Sequence, residues 1–219
     1  MGILKELENL LFLEKLCLFC RDEKIDKEYI CSSCRQQVEY VYKELEMDIP
    51  YIEKTYYSAF YNRFLKGKIY AFKYRGKGYL YKAFASMLLS TIKHHKLKEE
   101  IDMIAFVPMT SRKEALRGYN QSQLLAEYLA KELKKPLLKN NLVKIKDTLD
   151  QNKLTRIERQ TNLTGSIIAT KSQQFKGKKI LLIDDIITTG ATIRECGKVL
   201  VEKGASQVYG LAITSSMKV

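Results

Sequence analysis

Two adjacent carboxylates, Asp184 and Asp185, follow an apolar run and precede a turn rich in hydroxyl groups, in the stretch ILLIDDIITTGAT of residues 180–192. The backbone amides of such a turn, at the start of a helix, form a cradle for a phosphate, and Gly190 permits a backbone conformation that a side chain would forbid. The carboxylates can accept hydrogen bonds from the vicinal hydroxyls of a ribose, and they suit a ligand that carries Mg²⁺. The stretch therefore predicts a sugar-phosphate site. The predicted contacts to the phosphate are Thr188, Thr189, Gly190, Ala191 and Thr192.

Four cysteines form a second candidate site. The segments CLFC and CSSC contain Cys17, Cys20, Cys31 and Cys34, as two C-x2-C turns separated by ten residues. Two such turns can supply four thiolates to one tetrahedral metal ion and leave no position open for water, which predicts a structural Zn²⁺. An iron–sulfur cluster is a weaker alternative, and disulfides or ordinary cysteines are the alternative without a metal. The fifth cysteine, Cys196, lies in a predicted helix and is interpreted as a buried apolar residue.

The elements that must position these residues alternate along the chain. Apolar runs rich in β-branched and aromatic residues predict strands, and apolar residues three and four positions apart predict helices. We predict strands at residues 51–62, 101–107, 142–145, 166–170, 179–184 and 207–213, and helices at residues 64–74, 79–94, 121–134 and 192–202. This alternation predicts an α/β fold with a mostly parallel sheet, in which ligands bind beyond the carboxyl ends of the strands.

The N-terminal part of the chain is predicted to form a small zinc-binding module over residues 1–48, ahead of a sheet domain over residues 49–219. Within the module we predict helices at residues 3–16 and 33–46, before and after the cysteine turns. The sequence contains no uninterrupted apolar segment long enough to cross a membrane. We therefore expect a cytoplasmic protein, in which the cysteines stay reduced.

Residues 180–192 resemble, over their whole length, the phosphoribosyl-pyrophosphate (PRPP) binding motif of type I phosphoribosyltransferases. The segments FKYRGKG (72–78), VPMTSRKEALRGYNQSQLLAEYLA (107–130) and QNKLTRIERQTNLTG (151–165) resemble successive blocks of the ComF family. Members of this family carry a four-cysteine zinc module ahead of a phosphoribosyltransferase-like domain. The resemblance implies a role in natural transformation, in which incoming single-stranded DNA is handled in the cytoplasm together with an ATP-driven helicase or translocase.

The resemblance also assigns roles to two further loops. The loop after the first predicted core strand would meet the pyrophosphate, and the insertion at residues 146–166 corresponds to the mobile loop that closes over PRPP. The residues assigned in this way are Pro108, Met109, Arg112, Arg156 and Arg159. The arginines of the insertion would hold the diphosphate, or they would form a solvated face. Asn120 is interpreted either as a ligand contact or as the N-cap of the following helix.

Basic residues exceed acidic residues by 38 to 25, and the net charge of +13 predicts a polyanionic partner or a basic solvated surface. Between Lys54 and Lys98 the sequence has eleven Lys or Arg residues, no Asp or Glu, and eleven Tyr or Phe residues. Cations interleaved with aromatic rings are typical of single-strand binding, whereas the alternative places most of these rings in the core. We expect the core position for Phe60, Phe72 and Phe84. The predicted contacts to single-stranded DNA are Lys73, Tyr74, Arg75, Lys77 and Tyr79.

Three functions are consistent with these patterns. The first is a PRPP-binding protein that handles single-stranded DNA. The second is an active phosphoribosyltransferase with an unidentified acceptor, although purine-salvage enzymes of this fold often carry a carboxylate where Thr188 stands. A transcription regulator that senses PRPP is less favoured, because the sequence shows no helix-turn-helix pattern.

Overall fold

A five-stranded sheet forms the centre of the molecule in the computed structural model, which describes residues 16–25, 28–146 and 165–216. Its strands are β1 (Tyr40–Glu44), β2 (Lys54–Phe60), β3 (Met103–Phe106), β6 (Lys179–Ile187) and β7 (Gln207–Ser215). Their order in the sheet is β1-β2-β7-β6-β3, with β1 antiparallel to β2 and all other neighbours parallel. A separate antiparallel hairpin pairs β4 (Leu142–Lys144) with β5 (Ile167–Ala169).

Helices cover both faces of the sheet. In the described part of the chain they are α1 (Ser32–Gln36), α2 (Arg63–Tyr74), α3 (Tyr81–His94), α4 (Leu97–Glu100), α5 (Ser111–Arg117), α6 (Gln121–Leu133) and α7 (Ala191–Glu202), with short 3₁₀ turns at Gly78–Leu80 and Ser172–Gln174. Apolar side chains of α2, α3 and α6 form one buried cluster with one face of the sheet. Side chains of α7 and of the β4–β5 hairpin form a second cluster on the other face.

The apolar run of β6 follows from its central position. Successive side chains of a strand point to opposite faces of the sheet. Leu181 and Ile183 therefore pack into the cluster of α2, α3 and α6, whereas Ile180 and Leu182 pack into the cluster of α7. A strand buried on both faces has no place for a polar residue until it reaches its carboxyl end, where the acidic pair begins.

The mostly parallel α/β arrangement predicted from the sequence is confirmed. The predicted strands and helices from residue 51 onwards are present, with ends that differ by a few residues. Phe72 and Phe84 are fully buried as expected, but the expectation for Phe60 is wrong, since 39% of its surface is exposed. Phe60 is the last residue of β2, beyond the covering helices, where the Lys43 ammonium lies 5.8 Å from its ring centroid. The helix predicted at residues 3–16 lies outside the described residues.

The helix predicted at residues 33–46 is wrong. It ends at Gln36, and residues 40–44 form the edge strand β1. This run contains Tyr40, Val41 and Tyr42, and residues of these types fit a pleated, half-buried surface better than a helix. The sheet therefore begins before residue 49, and the predicted division of the chain at residue 48 falls in the connection between its first two strands.

The cysteine turns pack directly on the sheet domain. We call residues 16–25 and 28–36 the cysteine knuckle. Phe19 stands between Cys17 and Cys20 in the sequence. Its ring centroid is 5.8 Å from that of Phe64 and 5.5 Å from that of Phe84. The Lys68 ammonium donates a hydrogen bond to the Phe19 carbonyl oxygen at 2.7 Å. The knuckle and α2 thus share one apolar core.

This packing predicts that Phe19→Ala destabilises the whole domain. Phe19 is 5% exposed, and truncation of a buried phenylalanine typically costs about 3–5 kcal/mol. Phe60→Ala is the matched control, for which we expect a loss of about 1 kcal/mol or less because that ring is partly solvated. Urea unfolding followed by circular dichroism measures both. Equal losses for the two variants would show that the knuckle does not contribute to the core.

Candidate ligand-binding cleft and metal site

The predicted phosphate loop lies between β6 and α7. Gly190 stands directly before α7 as its N-cap, with φ +71° and ψ −4°, in the left-handed region that glycine adopts without strain. Thr189 Oγ1 accepts a hydrogen bond from the Ala191 amide at 3.4 Å and so stabilises the turn from within. The first amides of α7 carry the positive end of the helix dipole. Thr188, Gly190, Ala191 and Thr192 line a cleft of about 890 Å³.

The two carboxylates at the end of β6 line the same cleft and have different partners. Asp184 Oδ1 accepts hydrogen bonds from Ser122 Oγ at 3.1 Å and from the Asp185 amide at 2.8 Å. Asp185 Oδ2 lies 2.9 Å from the ammonium of Lys73, and its Oδ1 accepts from the Ile186 amide at 2.7 Å. The sequence did not single out Ser122, because nothing local shows that the start of α6 lies beside the end of β6.

The surrounding residues shift the pKa values of Asp184 and Lys73. Burial raises the pKa of Asp184 from 3.8 to about 7, and the charge of Asp185 adds to this effect, while Lys73 and the hydrogen bonds offset only part of it. Burial lowers the pKa of Lys73, but the neighbouring Asp185 outweighs burial, so the net shift of the lysine pKa is upward. Asp184 therefore titrates near neutral pH, and Lys73 stays protonated beside the acidic pair.

The loop after β3 forms the opposite wall of the cleft. Pro108 and Met109 line it as predicted, and Thr110 N-caps α5 by accepting a hydrogen bond from the Lys113 amide at 3.5 Å. Arg112 is exposed and lies outside the lining of the cleft, whereas Lys113 and Arg117 line it. The helical turn of α5 explains the difference, since positions 113 and 117 share a face that position 112 does not.

Asn120 is the N-cap of α6. Its Oδ1 accepts hydrogen bonds from the amides of Ser122 and Gln123, and its Nδ2 donates to the Val107 carbonyl oxygen at 3.1 Å. The N-cap interpretation of Asn120 is thus confirmed. The side chain fastens the start of α6 to the end of β3 and so holds Ser122 next to Asp184.

One face of α2 adds aromatic rings to the cleft. Tyr70 and Tyr74 are each 52% exposed, with ring centroids 5.1 Å apart. The guanidinium of Arg75 lies 5.5 Å from the centroid of Tyr70, and that of Arg117 lies 5.0 Å from the centroid of Tyr74. Lys73, Tyr74 and Arg75, which the sequence assigned to DNA, therefore line the same cleft as the phosphate loop.

The cleft is strongly basic. Among the described residues that line it, seven are basic and two are acidic. The basic residues are Arg63, Lys66, Lys73, Arg75, Lys113, Arg117 and Lys144, and the acidic residues are Asp184 and Asp185. A cleft with this balance attracts ligands that carry several negative charges. Arg156 and Arg159 lie outside the described residues, so their assignment to the diphosphate stays a prediction.

Lys77 and Tyr79 belong to a second cavity, on the other side of α2. This cavity of about 310 Å³, which we call the knuckle pocket, is lined by Leu18, Phe19, Phe64, Gly67, Lys68, Ala71, Arg75, Lys77, Tyr79 and Leu80. Tyr79 is 37% exposed, and the guanidinium of Arg21 lies 5.1 Å from its ring centroid. The five residues predicted to contact DNA are thus divided between two cavities, with Arg75 in both.

The four cysteines of the knuckle converge on one point. The Sγ atoms of Cys17, Cys20, Cys31 and Cys34 all lie within 4.8 Å of one another. The Sγ atoms of Cys20 and Cys31 are 3.8 Å apart, and a tetrahedral ion with bonds of about 2.3 Å to sulfur would place its ligands about 3.8 Å apart. Backbone amides also point at the sulfurs, from Cys31 to Cys17 at 3.3 Å and from Cys34 to Cys31 at 3.4 Å. The cluster can hold a metal ion.

The thiol groups of the cluster differ in acidity. Burial raises the pKa of Cys17, but the amides of Cys20, Cys31 and Phe19 outweigh it and lower that pKa to about 6. Burial raises the pKa of Cys31 to about 11 and also raises that of Cys34. The Cys17 sulfur is thus prepared as a thiolate, and a bound divalent cation would have to displace protons from Cys31 and Cys34.

The chain is similar to phosphoribosyl transferase domains and to competence proteins. Residues 120–214 match the phosphoribosyl transferase domain family, a span that contains Ser122, the acidic pair and the phosphate loop. Competence protein F of Haemophilus influenzae is 28% identical over 232 residues, which covers 92% of this chain and 98% of that protein. Competence protein ComFC of Bacillus subtilis is 32% identical over 200 residues, which covers 87% of this chain and 80% of that protein.

The chain belongs to the ComF family. A further relative, the DNA utilization protein YhgH of Salmonella typhi, is 33% identical over 107 residues, or 49% of this chain and 46% of YhgH. Family membership and the phosphoribosyltransferase-like fold predicted from the sequence are both confirmed. Within the described residues, no helix has the length and apolar character needed to cross a membrane.

The geometry of the acidic pair predicts that Lys73→Met raises the pKa of Asp184 above about 7, because a cation that favours the carboxylate is removed. Carboxyl carbon shifts in an NMR titration measure this change. Lys66→Met is the control, since Lys66 lines the same cleft and is exposed. Because the pKa of Asp184 is raised by folding, the free energy of unfolding should fall as the pH rises from about 4 to about 7. In Lys73→Met this fall should extend to higher pH; an unchanged Asp184 titration would contradict the ion pair.

Proposed function

We propose that the protein binds PRPP and handles single-stranded DNA during natural transformation. The observation that carries the proposal is that the acidic pair, the phosphate loop and a set of seven basic residues face one cleft of about 890 Å³. PRPP carries a phosphate at one end of its ribose, a diphosphate at the other and two hydroxyls between them, and the cleft offers matching groups to all three. The names of the relatives, competence protein F and ComFC, support the role in transformation.

In this proposal, different residues of the cleft contact different parts of the ligand. Asp184 and Asp185 accept hydrogen bonds from the ribose hydroxyls, and the turn of residues 188–192 holds the 5′-phosphate with its backbone amides and hydroxyls. The loop at Pro108 and Met109, with Lys113 and Arg117 behind it, receives the pyrophosphate. Mg²⁺ bound with the ligand would neutralise the diphosphate, and the two carboxylates are the oxygen donors that would hold it, directly or through water.

The strong positive charge of the cleft and of segment 54–98 supports the DNA part of the proposal. Single strands bind to proteins through cations that follow the backbone and rings on which bases stack. Tyr70 and Tyr74 are exposed beside Arg75 and Arg117, which is the required combination. In this proposal the protein works in the cytoplasm, with an ATP-driven helicase or translocase as its partner. The name of YhgH, a DNA utilization protein, is consistent with it.

A second candidate function is an active phosphoribosyltransferase. The acidic pair and four residues of the predicted phosphate loop line the cleft, which extends to the tyrosines of α2 and leaves room for an acceptor. Incubation with PRPP, Mg²⁺ and either nucleobases or oligonucleotides, followed by an assay for pyrophosphate, tests this candidate. Pyrophosphate released only when an acceptor is present would establish the transferase, and binding without release would favour the first proposal.

Binding of PRPP should depend on the carboxylates. We expect Asp185→Asn to weaken the affinity by about tenfold to a hundredfold, because one charge-assisted hydrogen bond is lost. Thr188→Val should weaken it less, since it removes one neutral hydroxyl. Titration calorimetry with PRPP and Mg²⁺ measures these changes. Asp48→Asn, an exposed residue outside the cleft, is the control with the same chemistry. Failure of the parent protein to bind PRPP would refute the proposed ligand.

We further propose that the four cysteines hold one structural Zn²⁺ per chain. Mass spectrometry of the metal content should give one zinc in the parent protein and none in Cys34→Ala. Cys196→Ala, which removes a thiol equally buried but outside the cluster, should keep its zinc. Because the knuckle shares a core with α2 and α3, loss of the metal should also lower the melting temperature of the sheet domain. Reduced protein purified without chelators and free of metal would overturn this assignment.

A further inference from the structure

A glycine in the middle of α2 has no explanation in packing. Glycine destabilises a helix interior relative to alanine. Gly67 is exposed and does not have a positive φ. A Cβ atom added to it would meet nothing within 4 Å. Neither the backbone conformation nor a close neighbour requires glycine here. The absence of a side chain at this position leaves the surface of the helix open to a close approach from outside.

Gly67 stands at the boundary of the two cavities. Gly67 and Arg75 are the residues that line both the cleft and the knuckle pocket. Their neighbours on the exposed surface of α2 are longer side chains, Lys66 and Tyr70. Position 67 is therefore a low point in the ridge that α2 forms between the cavities. A larger residue at position 67 would raise this ridge.

The knuckle pocket has the chemistry of a nucleotide subsite. Its floor is apolar, formed by Leu18, Phe19 and Phe64, and the ring of Tyr79 is partly exposed at its side. Lys77 and Arg75 are exposed at its rim, and Arg21 lies over Tyr79. Of the described residues that line the pocket, none is acidic. A ring flanked by cations above an apolar floor accepts a base together with its phosphate.

We propose that single-stranded nucleic acid crosses α2 at Gly67. One base lies in the knuckle pocket against Tyr79, the strand backbone passes over Gly67 beside Arg75, and the next nucleotides enter the cleft along Tyr70. This inference rests on the proposed function and gives the strand a defined path. A single strand is favoured over an acidic peptide because the exposed groups along the path are rings as well as cations, and every base presents a face for stacking.

Substitutions at position 67 give the sharpest test, because the effects on folding and on binding have opposite signs. Gly67→Ala should have an equal or higher melting temperature, since alanine favours the helix. Fluorescence anisotropy with a labelled thymidine oligomer of about 20 nucleotides should nevertheless show weaker binding by Gly67→Ala. Gly67→Leu should bind about tenfold more weakly than the parent, because a long side chain raises the ridge and displaces a stacked base.

Two further variants test the knuckle pocket. Tyr79→Leu should weaken binding of the oligomer by about tenfold through loss of stacking. Lys77→Ser should reduce the slope of log affinity against log salt concentration by about 0.7, as expected for one lost phosphate contact. Lys93→Ser and Lys98→Ser are the matched controls, because both lysines are exposed in the same basic segment and line neither cavity. These controls should bind as the parent does.

The results of these experiments distinguish an error in the proposed strand path from an error in the proposed DNA binding. If the parent binds the oligomer but Gly67→Leu and Tyr79→Leu bind it equally well, the path is wrong and the DNA function stands. If polyglutamate displaces the oligomer equally well from the parent and from Tyr79→Leu, the pocket is a general polyanion surface and the proposal is overturned. If the parent binds PRPP but no oligomer, the DNA function fails together with the path, and the PRPP site remains.

Discussion

The site depends on the charge balance at the carboxyl end of β6. Two neighbouring carboxylates lie near this end of the strand, and burial raises the pKa of Asp184 to about 7. The ammonium of Lys73, 2.9 Å from Asp185, keeps negative charge at this point. Ser122 orients the other carboxylate from the start of α6. The strand, α2 and α6 must all be in place before these contacts can form.

Helix α2 has three neighbours at once. Leu65, Ile69 and Phe72 anchor it in the core, and Phe64 and Lys68 contact the cysteine knuckle. A third face carries Lys73 to the acidic pair and the tyrosines to the cleft. A helix can contact several neighbours because the side chains of one turn, about 3.6 residues, point in all directions around its axis. The four-cysteine cluster and the cleft are therefore attached to different sides of one helix.

The features that the sequence predicted correctly are local ones. The strand–turn–helix of residues 179–202, the C-x2-C pairs and the individual strands and helices each lie within a short run of residues, so spacing alone reveals them. The pairing of Lys73 with Asp185 joins distant parts of the chain, and no local pattern indicates it. The same limit explains the errors at residues 33–46 and at Phe60. Residues 40–44 form a strand because they pair with β2, and Phe60 is exposed because it is the last residue of that strand; both are properties of the assembled sheet.

The edge strand β1 has a consequence for self-association. β1 occupies the hydrogen-bonding edge of β2, a strand of seven residues of which five are buried. A chain shortened to begin at residue 49 would leave that edge with a row of unpaired amides and carbonyls. An open, apolar edge of this kind is a template for another copy of the same strand and leads to aggregation. Strand β1 thus protects the edge of the sheet from pairing with another chain, independently of any ligand or metal.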